Sequence, residues 1–588
     1  MEGERRRSLR LRRVGRARTV YGAPMRDRRG PSPVLLLGAG TGEATCGILY
    51  LAGFLRRAGV EAYVRLHDDE GSSKEIARSI EALVARVRPR LVGISLKWFH
   101  HVHRALALAR AVKRVDPTVE IVMGGNSASS WWRELLTFDC VDHVIFGDGE
   151  VPLLALCEGD PAPPNCVSRG GVKPPLTYVQ GPGNSDGIHY SHFDEVFLSQ
   201  RDRHAFSGWV APGKGCAETC LYCGGARKNQ KEVFGRVDPY LRSPIGVRED
   251  HREIAPRTWQ VRYDFSGASV AFLDAAWAGV DLSRHSCTWF LWGRPSNELI
   301  DALARTFFQV YVVIDVGCFS ERQRLDLMRR GVLKACATDP EVDEVIAYSR
   351  RYPNVEVEVS GIAGLPYASA ATLEEEERLV DAVIARGCVA GYQRLEAQPG
   401  AAVTDKAEKF GMRTEARTFS EFLDYFERRP PGDSSVPMVR FAEDALEEAV
   451  AETADRVLER AHTYRVTRRM VALTGRTRLR KAAPIQQTYT LGAWLGTHVA
   501  PPRLANEAVT VVRSRLGTEL VCAPSVRAPA FPGMSQGEEA RCLLATLDAF
   551  AAPTTVATAA AAVRSRLGPD VVLAAIQALA DDRFLEPG

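Results

Sequence analysis

The chain lacks any run of about 18 apolar residues, which is the length that a helix needs to cross a membrane. Its N-terminus is charged throughout and has no apolar core, so no secretory signal peptide is evident. A disulfide framework is missing as well, because the 13 cysteines among 588 residues are odd in number and, apart from one cluster, scattered. These absences predict a cytoplasmic protein that works in a reducing environment and contacts no membrane.

The excess of positive charge is confined to the first residues. The net charge is +4, but residues 1–30 hold eleven arginines and the remainder of the chain is slightly acidic. We interpret residues 1–30 as a basic, disordered tail. A nucleic-acid-binding arm is the alternative interpretation, although we do not expect nucleic acid as a partner.

Strand-like and helix-like patterns alternate over residues 31–160. Apolar runs are followed by Gly-rich stretches, and the segments between them have helical periodicity; the runs lie at 33–37, 61–66, 91–95, 119–123 and 143–146. This alternation predicts an α/β domain with a parallel, doubly wound sheet of the flavodoxin-like (Rossmann-like) kind. Ligands of such sheets bind at the carboxyl ends of the strands.

The rest of the chain divides into four further parts. Residues 161–205 are rich in Pro, Gly and Asn and predict a linker. Over 206–430 the alternation resumes with six expected strands, which predicts a partial (β/α)6 barrel with its chemistry at the carboxyl ends of the strands. Residues 431–504 are a helical connection, and 505–588 are a small, mostly α C-terminal domain with a winged-helix-like pattern.

One cluster of cysteines stands out at the start of the expected barrel. Residues 213–225 read Gly-Lys-Gly-Cys-Ala-Glu-Thr-Cys-Leu-Tyr-Cys-Gly-Gly, so Cys216, Cys220 and Cys223 lie within eight residues. Structural zinc sites have four ligands, usually in two separated pairs, and no second pair is near. Iron–sulfur cubanes use cysteine thiolates, and three of them leave one iron open for a substrate. We therefore predict these three cysteines as metal ligands.

The spacing Cys-x3-Cys-x2-Cys, with an aromatic residue before the third cysteine, resembles the signature of the radical SAM superfamily. The resemblance implies a [4Fe-4S] cluster whose open iron binds S-adenosylmethionine (SAM). Tyr222 matches the family position beside the adenine, and Gly364 begins a Gly-Leu-Pro that many members carry after a strand. The segment that contacts the methionine end of SAM in the family matches loosely here, with Asp264 and Ser266 as candidates.

The sheet before the barrel resembles the cobalamin-binding domain of B12-dependent radical SAM enzymes, in particular those of the methyltransferase subfamily. Many B12 proteins carry a cobalt-ligating His in the loop after the first strand, but Ala44 occupies that position. The resemblance implies that backbone groups and hydroxyls hold cobalamin instead. The candidates lie at strand ends: Ser95, Gly124, Gly125, Asn126, Ser127 and Gly147. A scaffold that binds nothing is the alternative.

The C-terminal domain resembles the small PqqD-like domains that bind leader peptides of ribosomal peptide natural products. The residues that carry this resemblance are 542–547 and 554–556. It implies a leader peptide as a partner. A helical cap on the barrel is the alternative, and DNA binding is disfavoured because the domain has no basic cluster.

The resemblance implies a methyltransferase that moves a methyl group from SAM, via methylcobalamin, to a carbon of a specialised metabolite or peptide. An electron donor such as flavodoxin or ferredoxin would serve the cluster. The alternatives are non-methylating cyclisation or rearrangement by the same cofactors, and an inactive paralogue that binds a peptide. No catalytic residue is evident, although Arg394 and Glu396 are candidates near the end of the sixth barrel strand because a buried Arg there would suit a carboxylate.

Overall fold

The computed structural model describes residues 33–38, 46–66, 73–182, 208–255, 260–428 and 438–475, apart from eight single positions, and short stretches beyond 488. Within these residues the chain forms two parallel sheets, each covered by helices. The predicted α/β class is confirmed. None of the described helices has the length and apolar character that a membrane span requires.

The first sheet has six strands in the order β2-β1-β3-β4-β5-β6, parallel except for the last pair. Its central strands are buried on both faces, which is why they read as continuous apolar runs. Its strands are β1 Val34–Gly38, β2 Ala62–Leu66, β3 Leu91–Ser95, β4 Glu120–Gly124, β5 His143–Ile145 and β6 Cys166–Ser168, and its helices are α1 Cys46–Arg57, α2 Ser73–Val87, α3 Val102–Val115, α4 Asn126–Ser130, α5 Trp132–Leu135 and α6 Glu150–Glu158.

The strand order of the first sheet locates its ligand-binding edge. The chain passes from β1 to the outer strand β2 and then returns to β3 on the other side of β1. In open α/β sheets this reversal creates a crevice at the carboxyl ends of the strands. The loops after β3 and β4 lie on that edge. The short strand β6 was not predicted, because its three residues lie in a Pro- and Gly-rich segment.

The second sheet has the order β14-β13-β12-β11-β10-β7, with every neighbouring pair parallel. Consecutive strands therefore lie side by side, as in the predicted partial barrel of six strands. Its strands are β7 Gly208–Trp209, β10 Gln260–Tyr263, β11 Ser286–Trp292, β12 Gln309–Gly317, β13 Val355–Ala363 and β14 Val389–Arg394. A short antiparallel pair, β8 Gly213–Lys214 and β9 Tyr240–Leu241, follows β7.

Most of the helices of this half begin at a serine or threonine whose side chain caps the helix. Thr338 and Thr418 each form a capping box with the glutamate three residues later, which satisfies backbone N–H groups at the helix start. The helices of this half are α7 Arg227–Glu232, α8 Pro244–Ile254, α9 Val270–Trp277, α10 Asn297–Thr306, α11 Glu321–Arg329, α12 Asp339–Ser349, α13 Ala370–Ala385, α14 Ala402–Asp405 and α15 Phe419–Glu427.

A buried polar contact joins the two halves of the molecule. The Tyr50 hydroxyl, on α1 of the first sheet, donates to the Asp250 carboxylate of α8 at 2.7 Å. The Arg242 guanidinium donates to the same carboxylate at 2.6 Å and to the tyrosine oxygen at 3.2 Å. Because such buried polar groups need their partners, this contact fixes α1 against α8.

The remaining described elements follow the barrel. A hairpin-like pair, β15 Met412–Thr414 and β16 Val439–Phe441, precedes the long helix α16 Asp444–Gly475, which packs along β14. The last elements are β17 Thr488–Leu491, β18 Thr510–Arg513, β19 Glu519–Cys522, β20 Thr554–Thr555, α17 Val556–Ala562 and β21 Leu585–Pro587. Most of the predicted winged-helix pattern lies outside the described residues and stays a prediction.

Candidate functional site

The cysteine loop leaves the barrel after β8 and is anchored along its length. The turn into it needs glycine, because Gly215 has a φ of +97° and a Cβ there would lie 2.9 Å from Pro239 Cα. In mid-loop, Leu221 N–H donates to the Val332 carbonyl at 2.8 Å, and the Leu221 carbonyl accepts from Val403 N–H at 2.9 Å. The loop is therefore tied to segments that follow β12 and β14.

Two of the three predicted ligands of this loop accept hydrogen bonds from backbone N–H groups. Glu218 N–H donates to Cys216 Sγ at 3.4 Å, and Gly225 N–H donates to Cys223 Sγ at 3.3 Å. Burial raises the pKa of each thiol, that of Cys220 to about 11. N–H donors favour the thiolate, which is the form that binds iron, so the loop fits a cluster.

The triad does not form a site for a single metal ion. Among the described residues, no three His, Cys, Asp or Glu side chains are close enough together to hold one ion. A cubane places its three thiolates on three different irons, so it needs them further apart than a mononuclear site does.

A buried lysine lies beside the triad. The Lys334 ammonium donates a hydrogen bond to Asp315 at the end of β12, and both side chains are largely buried. Burial alone would lower the pKa of Lys334, but Asp315 raises it, so the lysine carries its charge next to the cysteines. Burial still raises the pKa of Cys220, and the positive charge of Lys334 offsets part of that rise.

The structure describes two of the four residues predicted to bind SAM, Tyr222 and Gly364. Tyr222 is half-buried within the cysteine loop, and the surrounding protein raises its pKa. Gly364 follows β13 with a φ of +80°, a conformation that favours glycine, and thus turns the chain at the strand end. Asp264 and Ser266 lie outside the described residues.

The cobalamin candidates converge at the carboxyl edge of the first sheet. Ser95 and Gly124 are register partners at the ends of β3 and β4, and Gly125 follows with a φ of +111°. Ser127 donates from its hydroxyl to the Lys97 carbonyl at 3.1 Å, so it holds the loop after β3. Gly147 lies at the end of β5, on the same edge.

One buried atom on this edge fits a ligand. The side-chain oxygen of Asn126 is buried and has no hydrogen-bond partner among the described residues. Buried polar atoms are nearly always paired, so an unpaired acceptor beside Gly124 and Gly125 suits an amide or hydroxyl donor of a bound cofactor. Ala44, in the loop after β1, lies outside the described residues.

The two candidate catalytic residues occupy different places. Arg394 donates to the Ala451 carbonyl at 3.1 Å and to the Asp455 carboxylate at 2.8 Å, both on α16. It therefore ties β14 to that helix rather than pointing into the barrel. Glu396, two residues after β14, is exposed, and partial desolvation by the surrounding protein raises its pKa.

Sequence reasoning missed a buried ionic network between the halves. Asp148, in the loop after β5, accepts from Arg236 at 2.8 and 3.0 Å, from Lys214 at 3.3 Å and from Gln180 N–H at 2.8 Å. Glu150 accepts from the same Lys214 ammonium at 3.4 Å. Burial alone would raise the pKa of Asp148, but the two cations lower it. Residue spacing carried no sign of this network, because its members are distant in the chain.

Fold and site together define a class of protein: a B12-type sheet, followed by a half barrel whose first strand leads into three cysteines. Residues 34–157 match the family model described as the B12 binding domain. The chain therefore carries a B12-binding domain ahead of its barrel. A search of curated proteins found no match.

Among solved structures, the chain is similar to the radical S-adenosylmethionine methyltransferase TsrM from Kitasatospora setae. The structure with tryptophan substrate and the SAM analogue aza-SAM matches with a TM-score of 0.54 and 17% identity, over 72% of this chain and 88% of that one. The structure with cobalamin and [4Fe-4S] cluster matches with a TM-score of 0.50 and 17% identity, over 66% and 77%. This similarity confirms the predicted fold, a B12-type sheet followed by a partial barrel, and the family match supports the predicted cobalamin.

Proposed function

We propose that the chain is a cobalamin-dependent methyltransferase that moves a methyl group from SAM to a carbon of a specialised metabolite or peptide. The proposal includes a cytoplasmic location and a one-electron donor such as flavodoxin or ferredoxin. If the substrate is a peptide, its leader would bind the C-terminal domain.

The observation that carries the proposal is the contact between the two candidate cofactor sites. A Cβ on Gly147, at the ligand-binding edge of the first sheet, would lie 3.6 Å from Phe234, eleven residues after Cys223. The neighbouring Asp148 binds Lys214, two residues before Cys216. A methyl group that passes between two cofactors needs them at one cavity, and this adjacency supports such an arrangement.

When bound, cobalamin would carry the methyl group and the cluster would supply the electron that activates SAM. The chain's own residues would bind these two cofactors and orient them. Cys216, Cys220 and Cys223 would hold the cluster, and the N–H groups of Glu218 and Gly225 would stabilise its sulfur ligands. At the other edge, Asn126 would accept a hydrogen bond from the corrin, while the glycines let the backbone approach closely.

The test is anaerobic reconstitution of the full chain with iron, sulfide and cobalamin, followed by incubation with SAM, reductant and candidate substrates. We expect S-adenosylhomocysteine and a product heavier by one methyl group. Deoxyadenosine without S-adenosylhomocysteine would contradict methyl transfer and favour a cyclisation or rearrangement.

A matched pair of variants tests the cluster separately. A cubane holds about four irons per chain, and Cys223→Ala should bind much less iron than that. Cys166→Ala, which removes a buried cysteine from the edge strand β6, should keep them. A wild-type protein that takes up no iron would support an inactive paralogue instead.

A further inference from the structure

The ionic network around Asp148 leads to the start of the cysteine loop. Lys214, which binds Asp148 and Glu150, is the last residue of β8 and stands two positions before Cys216. Between them Gly215 makes its turn against the stem of Arg236, whose Cδ would lie 2.7 Å from a Cβ at that position. Asp148 is therefore connected to Cys216, the first ligand of the triad, by the Lys214 side chain and the tight turn at Gly215.

The network also leads to the end of the loop. Arg236, paired with Asp148 through two hydrogen bonds, donates to the Gln230 side-chain oxygen at 2.9 Å. The Gln230 amide donates to the Gly225 carbonyl at 3.0 Å, and Gly225 N–H donates to Cys223 Sγ at 3.3 Å. A series of hydrogen bonds, joined through the side chains of Arg236 and Gln230 and the backbone of Gly225, therefore connects Asp148 to the third ligand.

We infer that Asp148 is a positioning residue for the cysteine loop: a carboxylate of the B12-binding domain that holds both ends of the loop against that domain. The inference deepens the proposed function and rests on it for the identity of the cluster ligands. Asp148 follows Gly147, a cobalamin candidate, so the same short loop serves both cofactor sites.

The charges explain why Asp148 rather than its neighbours controls this contact. Asp148 is the one carboxylate that binds both Lys214 and Arg236 among the described residues, and all three side chains are mostly buried. Removing its charge leaves Arg236 buried without a carboxylate and Lys214 with Glu150 as its one remaining carboxylate among the described residues, which costs more than the loss of an exposed pair. Arg236 is relieved when it moves toward water, and Lys214 when it shifts toward Glu150, so both ends of the cysteine loop lose their shared anchor.

The first experiment compares hydrogen exchange in the full chain, without added cofactors, for Asp148→Asn and Asp142→Asn. Asp142 is a matched control: it pairs with Lys113 at 2.7 Å and with Arg169, and it accepts a backbone N–H from Ile121, but it lies at the other end of β5. We expect Asp148→Asn to speed exchange over residues 214–226 by at least about tenfold, while Asp142→Asn leaves that segment unchanged.

Two results of this experiment would overturn the inference. Unchanged exchange over 214–226 in Asp148→Asn would show that the loop does not depend on the network. An equal increase in all barrel strands would show that Asp148 serves general stability and has no specific effect on the loop.

The second experiment uses reconstituted protein and reads the electron paramagnetic resonance spectrum of the reduced cluster. With iron content equal to wild type, Asp148→Asn should give a broadened or mixed cluster signal, and Asp148→Glu, which keeps the charge, should restore most of the wild-type signal. A wild-type spectrum in Asp148→Asn would refute the inference. Failure of the proposed function is distinguishable, since wild-type protein would then form no methylated product while the exchange difference over 214–226 persisted.

Discussion

Replacing Gly125 by alanine should damage the edge that we assign to cobalamin, for two separate reasons. The residue has a φ of +111° and a ψ of 177°, a region of backbone conformation that is essentially open to glycine alone. In addition, its Cβ would lie 2.8 Å from the Leu96 carbonyl oxygen and 2.9 Å from Lys97 N. Both of these contacts are to backbone atoms, so no side-chain rotation can relieve them.

The backbone at Leu96 cannot move away without further loss. Its N–H donates to the Gly124 carbonyl at 2.8 Å, and its own carbonyl accepts from Ala128 N–H at 3.2 Å. We estimate about 1–3 kcal/mol for the backbone conformation and a similar amount for the overlap. The sum, about 2–6 kcal/mol, is a large part of the stability of an ordinary domain.

The assay has two readouts and an internal control. Hydrogen exchange of the β3, β4 and α4 peptides should report the local loss of stability, and titration with hydroxocobalamin, followed by absorbance, should show at least about tenfold weaker binding. Gly59→Ala is the control, because Gly59 also has a positive φ, +82°, but a Cβ there meets nothing within 4 Å. It should cost only about 1–2 kcal/mol and leave cobalamin affinity unchanged.

The reasoning would be refuted if Gly125→Ala bound hydroxocobalamin as tightly as wild type and lost no more stability than Gly59→Ala. Weaker binding with unchanged exchange in the free protein would mean that the new methyl group obstructs the ligand directly. In that case the overlap with Leu96 would have been overestimated, while the assignment of the edge would stand.

Two further predictions concern buried charges. Burial raises the pKa of Glu376, which accepts from the Tyr392 hydroxyl, to about 7, so the folded state holds a proton that the unfolded state releases above about pH 4.5. Stability should therefore fall by about 3 kcal/mol as pH rises from 4.5 through 7, and Glu376→Gln should abolish this slope in chemical denaturation. Glu377→Gln should keep it, because the pKa of Glu377 is lowered, against the effect of burial, by two arginines of α16; an equal slope in all three proteins would contradict the assignment. Lys334→Met should lower the midpoint potential of the cluster by on the order of 50 mV in a potentiometric titration, because a positive charge beside the triad favours the more negative reduced state. Lys334→Arg should stay near wild type, and equal potentials in both variants would contradict this role.

The barrel strands were predictable because their burial leaves a local pattern in the sequence. β12 Gln309–Gly317 is a mostly apolar stretch, because a central parallel strand is covered on both faces. β13 Val355–Ala363 begins with alternating Val and Glu, which is the two-residue period of a strand with one buried face. The cysteine triad was predictable for a similar reason, since its ligands lie within eight residues.

Polar contacts between distant segments left no such pattern. Asp148 and Lys214 are 66 positions apart, and Asp315 and Lys334 lie on opposite sides of α11. Each residue alone resembles an ordinary charged loop residue, and only the packed chain shows that it is buried and paired. Such pairs are set by tertiary geometry, which periodicity does not record.

The sixth barrel strand shows where the limit of sequence reasoning lies. The alternation of side chains along a strand places Arg394 and Gln393 on opposite faces, but it does not say which of them faces the barrel interior. The side is decided by α16, which offers Asp455 and the Ala451 carbonyl to Arg394, and by Gly391, whose missing side chain leaves room for Glu358 on the opposite face. A search for catalytic groups is therefore better directed to that opposite face, which includes Glu358 and Ser360 from the neighbouring strand, than to Arg394.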